Sequence, residues 1–164
     1  MTSFHKAASL ALLLLPLLLL VPVGAFASET TTGSGNFVAT ITTFKTIFSH
    51  DGYTLYYFAG PDVFSGTLTG AATFTFYQLV LPSGASFGAG TVTCPCTVAG
   101  KTGTIDIRFT TQSPGGGAGT GQAEETGSGG LAGFQGHATF SYVVTSTGFN
   151  GPYQVHYTFG EHDE

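Results

Sequence analysis

Along most of this chain, apolar and polar side chains alternate, and this alternation constrains the fold more than any other feature. The sharpest case is TIDIRFT at residues 104–110. Ile105, Ile107 and Phe109 share one face of this segment, and the polar residues between them share the other. A period of two is typical of a half-buried β-strand, and no segment after residue 27 repeats its apolar residues at helical spacing. The sequence therefore predicts an all-β protein.

Several other segments show the same alternation. Their predicted inward-facing sets are Phe74 and Phe76; Ala138, Phe140, Tyr142 and Val144; and Tyr153, Val155, Tyr157 and Phe159. About eight strands with short turns and no crossover helix indicate an antiparallel barrel or a sandwich. We expect the barrel, because closure removes the strand edges that apolar strands would otherwise expose.

Glycine and proline punctuate these strands. Asp51-Gly52 and Gly60-Pro61-Asp62 are predicted turns, and the first strand is expected to begin at Gly35. Gly88 and Gly90 indicate a bend or bulge within one strand. The segment SPGGGAGTG, residues 113–121, is predicted to be flexible.

The N-terminal residues predict export. Lys6 gives the N-terminal region a weak positive charge, and an apolar run follows it. Ala25-Phe26-Ala27 then has the small residues that signal peptidase accepts. A membrane span needs about 20 apolar residues, whereas this run is shorter and interrupted by Pro16. We therefore expect a signal peptide cleaved after Ala27, a secreted product and no stable membrane span. The predicted organisation is a signal peptide at 1–27, a flexible segment at 28–35, a β-barrel domain at 36–159 and an acidic tail at 160–164.

Charge excludes some partners. After residue 27 the chain carries three basic side chains, Lys45, Lys101 and Arg108, against nine acidic ones. A nucleic-acid or anionic-membrane surface requires a basic patch. Neither partner is therefore expected.

One glycine-rich stretch imitates a dinucleotide-binding turn. GSGGLA, residues 127–132, fits the G-x-G-x-x-A spacing, but such a turn requires a preceding strand and a following helix. A strand follows here, and Glu124 and Glu125 would repel phosphate. We therefore predict a sheet turn, with Leu131 and Phe134 closing one end of the core, and no cofactor.

The two cysteines form a Cys94-Pro95-Cys96 motif. In an extended strand, residues two apart lie ~6.6 Å apart, near the upper limit of about 6.8 Å for disulfide Cα atoms. A bridge between Cys94 and Cys96 therefore requires a bend at Pro95. A structural bridge is favoured over a reducible redox pair, because no basic residue nearby would stabilise a thiolate.

The remaining polar residues do not form a recognisable catalytic or metal-binding motif. The histidines beyond residue 27 are His50, His137, His156 and His162. They lack metal-ligand spacing, so no metal site is expected, although His137 and His156 lie on neighbouring predicted strands. His162-Asp163-Glu164 would hold a metal only weakly. Asp106 and Arg108 share an outward face and are expected to form a surface ion pair.

Three stretches carry a family resemblance: FSGTLTG (64–70), CTVAGKTGTIDIRF (96–109) and GSGGLAGFQGHATF (127–140). Together they resemble small bacterial proteins with an allene-oxide-cyclase-like barrel, many known only as a domain of unknown function. The resemblance spans about residues 36–159. It implies an eight-stranded antiparallel barrel related in shape to plant allene oxide cyclases and dirigent proteins, which bind apolar molecules and steer a cyclisation or coupling. The plant cyclases use a carboxylate near the end of the first strand, but FVATITTFKTIF (37–48) has none, so no catalytic residue is carried over.

Three functions remain open from the sequence. The first is a secreted, non-enzymatic barrel of unknown role, with a small apolar molecule as its candidate ligand. The second is a cyclase or isomerase that acts by shape on an apolar substrate. The third is a structural surface module; the oligomeric state is left open. A cavity with an ionisable group projecting into it favours binding or catalysis, whereas a lumen filled by aromatic side chains favours the structural role.

Overall fold

A computed structural model describes residues 29–160, and these consist of β-strands and turns. The strands are β1 (Thr31–Thr40), β2 (Thr43–His50), β3 (Tyr53–Gly66), β4 (Thr69–Val80), β5 (Ser86–Val98), β6 (Lys101–Gly115), β7 (Ala118–Gly129), β8 (Phe134–Val144) and β9 (Gly148–Phe159). The prediction of an all-β protein is confirmed.

The sheet closes on itself. Neighbouring strands pair antiparallel in the order β1-β9-β8-β7-β6-β5-β4-β3-β2, and a further pairing joins β1 to β3. Eight strands therefore form a closed barrel, and β2 is an additional strand beside the first half of β3. Because the sheet is closed, the fold is a barrel and not a sandwich.

The first strand differs from its prediction at both ends. It begins at Thr31 rather than Gly35, because Thr31 to Gly35 pair with β9. The flexible segment predicted over residues 28–35 is therefore wrong for residues 31–35. The strand ends at Thr40, where the chain leaves β9 and continues as β2 against β3.

The turn predicted at Gly60-Pro61-Asp62 is wrong, because β3 runs straight through it. β3 changes partner at this point. Its residues up to Ala59 pair with β2, and those from Asp62 onward pair with β1. Pro61 lies in the gap between these two ladders, a position where a strand tolerates proline. The turn predicted at Asp51-Gly52 is confirmed, with φ of 50° and 79° at the two residues.

Strand β7 is absent from the sequence prediction. Its glycines and glutamates have low strand propensity, yet it pairs along its length with β6 and β8. The segment predicted to be flexible, residues 113–121, is the hairpin that joins β6 to β7. The bend predicted at Gly88 and Gly90 is also wrong, because β5 keeps a continuous register through both residues.

The predicted inward faces are confirmed with one exception. The buried or half-buried members are Phe74, Phe76, Ile105, Ile107, Phe109, Ala138, Phe140, Tyr142, Tyr153, Val155, Tyr157 and Phe159. Val144 is exposed, since it lies near the end of β8. Alternation thus identifies most of the core.

Some predictions fall outside the described residues. The signal peptide at 1–27 and most of the acidic tail, residues 161–164, belong to this group. Within residues 29–160 there is no helix of the length and apolarity that a membrane crossing requires.

Candidate functional site: the barrel lumen

The side chains that point into the barrel line a small cavity with aromatic walls. Its volume is about 90 Å³, smaller than an apolar cavity of roughly 150 Å³ that accommodates benzene. The aromatic lining residues are Phe37, Phe64, Phe74, Phe76, Phe109, Phe140, Tyr142, Phe149 and Tyr153. The lumen is thus not completely filled, and it is smaller than the pockets of about 300 Å³ or more that hold drug-sized ligands.

Most of the aromatic rings that line the cavity contact one another in a connected chain. The Phe76 and Phe109 ring centroids lie 5.5 Å apart, and those of Phe109 and Phe140 lie 6.1 Å apart. Phe37 meets Phe140 edge to face at 5.8 Å. These separations are typical of attractive aromatic pairs. A Cβ atom at Gly88 would overlap the Phe76 ring, so the glycine leaves the space that this ring occupies.

One end of the core is closed by fully buried side chains. Leu131 and Phe134, which were predicted to close it, are buried together with Leu68. The Tyr153 hydroxyl accepts a hydrogen bond from the Leu68 backbone N–H at 2.9 Å. It also lies 3.3 Å from the Leu68 carbonyl oxygen, to which it can donate. This closed end fixes the position of Tyr153 beneath the cavity.

Asp62 brings a carboxyl group into the lumen. It lies on β3 opposite Ala39 of β1 and Ala72 of β4, and only 3% of its surface is exposed. Burial raises the pKa of Asp62 to about 6, although hydrogen bonds from the backbone of Val63 and Val38 oppose the rise. The Oδ1 atom has no hydrogen-bond partner among the described residues. Asp62 is therefore a buried acid with one oxygen available to a further group.

Glu125 brings a second carboxyl group. It lies on β7 opposite Ile107 and Gly136, and 4% of its surface is exposed. Burial raises its pKa to about 7, and no hydrogen bond within residues 29–160 satisfies its Oε2 atom. A Cβ atom at Gly136 would lie 2.7 Å from this oxygen, so glycine there leaves the room that the carboxyl occupies. Near neutral pH, Glu125 is therefore distributed between its charged and uncharged forms.

The lumen contains no positive side chain to balance these acids. Of the lining residues, those that titrate are Asp62, Glu125, Tyr142 and Tyr153, and none is lysine, arginine or histidine. The basic side chains of the described part of the chain are all exposed: Lys45, His50, Lys101, Arg108, His137 and His156. Burial is the main cause of the raised pKa of Tyr153; the hydrogen bond with the backbone of Leu68 lowers this pKa, and the charge of Glu125 raises it. The site is therefore an acidic lumen without an internal counter-ion.

Cys94 and Cys96 lie on β5 outside the cavity lining, and both are fully buried. Their Cα atoms are 5.2 Å apart, which is within disulfide range and shorter than the extended-strand distance. The two sulfur atoms lie within bonding distance of each other. The ladder between β4 and β5 has a gap at Cys94 and Pro95, where the predicted bend is required, and the register is the same on both sides of the gap. The disulfide itself stays a prediction, which a mass measurement tests.

The histidines lie on the outer surface. His137 and His156 are directly opposite each other on β8 and β9, as their predicted strands suggested. The His156 Nδ1 atom is 3.0 Å from the Thr32 hydroxyl. No group of three or more histidine, cysteine, aspartate or glutamate residues within residues 29–160 is arranged to hold a metal ion. His162 lies outside the described residues.

Asp106 and Arg108 also lie outside the barrel, on the predicted exposed face. Asp106 accepts a hydrogen bond from the Thr93 hydroxyl at 3.0 Å. In the described part of the chain, the ion pair within 4.0 Å is His50–Asp51 rather than the predicted Asp106–Arg108 pair.

The stretch that imitates a dinucleotide turn is the end of β7 and the turn into β8. Strand β8 begins at Phe134, directly after this turn, so no helix is present to meet a phosphate. The interpretation as a sheet turn is confirmed.

Sequence reasoning missed both lumen acids. Asp62 was assigned to a turn, and Glu125 to a segment without predicted structure. A signal for Glu125 is nevertheless present, because Ala123 and Glu125 are two residues apart and share a face, while Glu124 lies between them. In a chain with only 8% charged residues, an acid at an inward position marks a site.

Fold and site together define a closed antiparallel β-barrel with an acidic, aromatic lumen. No protein-family model matches the chain, and no curated protein matches it. Among solved structures, the chain is similar to a protein with unknown function from the DUF3224 family of Shewanella oneidensis MR-1. The TM-score is 0.65 at 17% identity, and the match covers 82% of this chain and 100% of that chain. At this identity the likeness shows the fold alone, a barrel domain whose function is unknown.

Proposed function

We propose that this protein is an exported barrel that binds a small molecule with an apolar body in its lumen. The observation that carries the proposal is the burial of Asp62 and Glu125 against a cavity with aromatic walls. An unpaired buried acid costs stability, and apolar residues of similar size would make a more stable core. Acids with raised pKa values that face a cavity are typical of functional sites. The N-terminal residues 1–27 support export through their signal-peptide pattern.

Xenon uptake tests whether the lumen is accessible, because apolar cavities bind this atom. We expect xenon to shift the resonances of lumen residues in the wild-type protein and in Ala89→Leu, which changes an exposed residue of β5. Ala123→Leu fills the cavity from β7 and should abolish the shifts. Absence of xenon shifts in the wild type, or their persistence in Ala123→Leu, would refute a binding lumen and favour the structural role.

Native mass spectrometry of the protein recovered from culture medium tests export and ligand retention together. We expect a chain that begins after Ala27 and carries a small additional mass lost on denaturation. A chain that retains residues 1–27 would refute the predicted cleavage.

A second candidate is a cyclase or isomerase of the allene-oxide-cyclase type. Two observations favour it: the pKa of Glu125 at about 7 suits a general acid or base near neutral pH, and Asp62 lies opposite Ala39 of the first strand. A carboxylate is thus present in the lumen although the first strand has none. Proton exchange at the carbon beside the carbonyl of a small ketone, measured in heavy water, tests this role. Glu125→Gln should abolish exchange, whereas Glu124→Gln should leave it unchanged; equal exchange in both variants would refute it.

A further inference from the structure

The charge of the lumen restricts the kind of molecule that fits it. Asp62 and Glu125 are each more than nine-tenths buried, and each presents an oxygen with no partner among the described residues. Three basic residues, Lys45, Lys101 and Arg108, are the lysines and arginines of residues 29–160, and all are exposed. The positive charge that would stabilise the buried carboxylates is therefore absent from the barrel interior.

The walls favour a cation as well. Phenylalanine and tyrosine rings surround the cavity, and the face of an aromatic ring attracts a positive charge, most strongly when the charge is desolvated. An anion would meet two acids and no positive side chain. A lumen lined by carboxyl groups and aromatic rings therefore favours a cation over an anion or a neutral molecule.

Resting on the proposed function, we propose that the lumen binds a small organic cation, a primary ammonium ion with a short apolar body. The ammonium group donates a hydrogen bond to the unpartnered oxygen of one acid and is attracted by the charge of the other, which lies across the barrel on β3 or β7. The apolar body packs against the phenylalanine rings. The volume of about 90 Å³ limits the body to less than the size of benzene.

Binding of this cation competes with protonation of the two acids. The titratable groups that face the cavity are Asp62 on β3, Glu125 on β7, Tyr142 on β8 and Tyr153 on β9, and the two carboxyls titrate first. Below about pH 6 both acids are mainly protonated, so an ammonium ion must displace a proton to bind. Affinity for the cation should therefore rise with pH through the neutral range.

Three probes of matched length test the proposal: propylamine, 1-propanol and propanoate. Dissociation constants come from chemical-shift titrations of labelled protein at about pH 5 and about pH 8. We expect propylamine to bind most tightly at the higher pH and at least about tenfold more weakly at the lower pH. Glu125→Gln and Asp62→Asn should each weaken propylamine binding, whereas Glu124→Gln should leave it unchanged.

The outcomes separate this proposal from the proposed function. If 1-propanol or propanoate binds as tightly as propylamine, or if the pH dependence is reversed, the cation proposal is refuted while the binding lumen stands. The same holds if xenon enters the lumen and propylamine does not bind. If neither xenon nor any of the three probes enters, the proposed function fails with it. Because Glu125→Gln removes a buried charge, its fold is checked by xenon uptake in the same sample.

Discussion

Glu124 and Glu125 are consecutive residues of β7 whose side chains lie on opposite sides of the barrel wall. Glu124 is exposed beside Arg108, its register partner on β6, whereas Glu125 is buried opposite Ile107. Strand alternation alone produces this difference. The pair therefore provides an internal control, because glutamate can be changed to glutamine either at the exposed Glu124 or at the buried Glu125.

The first prediction concerns stability and pH. The folded pKa of Glu125 is raised to about 7 from an ordinary value of 4.5. The folded protein therefore binds the proton of Glu125 more tightly than the unfolded chain does. The contribution of this proton to the free energy of unfolding is fully present below about pH 4.5. It falls as Glu125 of the unfolded chain ionises and is lost as pH rises through about 7. A difference of this size corresponds to about 3 kcal/mol.

Denaturant unfolding of Glu125→Gln and Glu124→Gln across this pH range checks the prediction. The loss of unfolding free energy between about pH 4.5 and about pH 8 should shrink by about 3 kcal/mol in Glu125→Gln. Glu124→Gln should retain the wild-type loss. Identical pH profiles in the two variants would contradict the burial of Glu125.

The second prediction concerns the fit between Gly88 and Phe76. A Cβ atom at Gly88 would overlap the Phe76 ring, so Gly88→Ala should destabilise the barrel by about 1–3 kcal/mol. Phe76→Leu removes the ring, and the same alanine should cost less in that background. A double-mutant cycle measured by denaturant unfolding gives the coupling between the two residues. An equal cost in both backgrounds would rule out the predicted overlap.

The third prediction concerns the hydroxyl of Tyr153. Tyr153→Phe leaves the buried Leu68 N–H without its hydrogen bond, which should cost about 1–3 kcal/mol of unfolding free energy. Tyr157→Phe is a matched change on the same strand that leaves the Leu68 bond intact. Thermal or denaturant unfolding of both variants compares them. Equal effects would show that the Leu68 bond contributes no stability.

The fourth prediction concerns Cys94 and Cys96. Because both sulfur atoms are fully buried, a bridge between them should resist reductant in the folded protein and open only on unfolding. Intact mass should be lower by two hydrogen atoms before denaturing reduction. Thiol labelling after unfolding without reductant gives an independent check. Incorporation of two labels would show free thiols and would contradict the bridge.

The fold was largely predictable from the sequence because alternation depends only on the period of two. Ile105, Ile107 and Phe109 are inward-facing, as their spacing indicates. Closure itself depends on the pairing of β1 with β3, which involves residues distant in sequence. Alternation within a strand carries no information on that pairing.

The site was less predictable for local reasons. Asp62 follows Gly60 and Pro61, which together signal a turn, and only the change of strand partner at this point keeps β3 extended. Glu125 lies in a strand of low strand propensity that its neighbours β6 and β8 hold in place. In both cases pairing with neighbouring strands overrides the local preference. The folded structure is therefore needed to show that each acidic side chain points into the lumen.

The most direct test of the account is the titration of the two lumen acids in the folded wild-type protein, followed through their side-chain carboxyl carbons by NMR. Burial without a counter-ion predicts midpoints of about 7 for Glu125 and about 6 for Asp62. Assignment is made by the loss of each signal in Glu125→Gln and Asp62→Asn. Midpoints near 4 for both, the value of carboxyls in water, would show that these groups are solvated and would contradict the burial of two acids in the lumen.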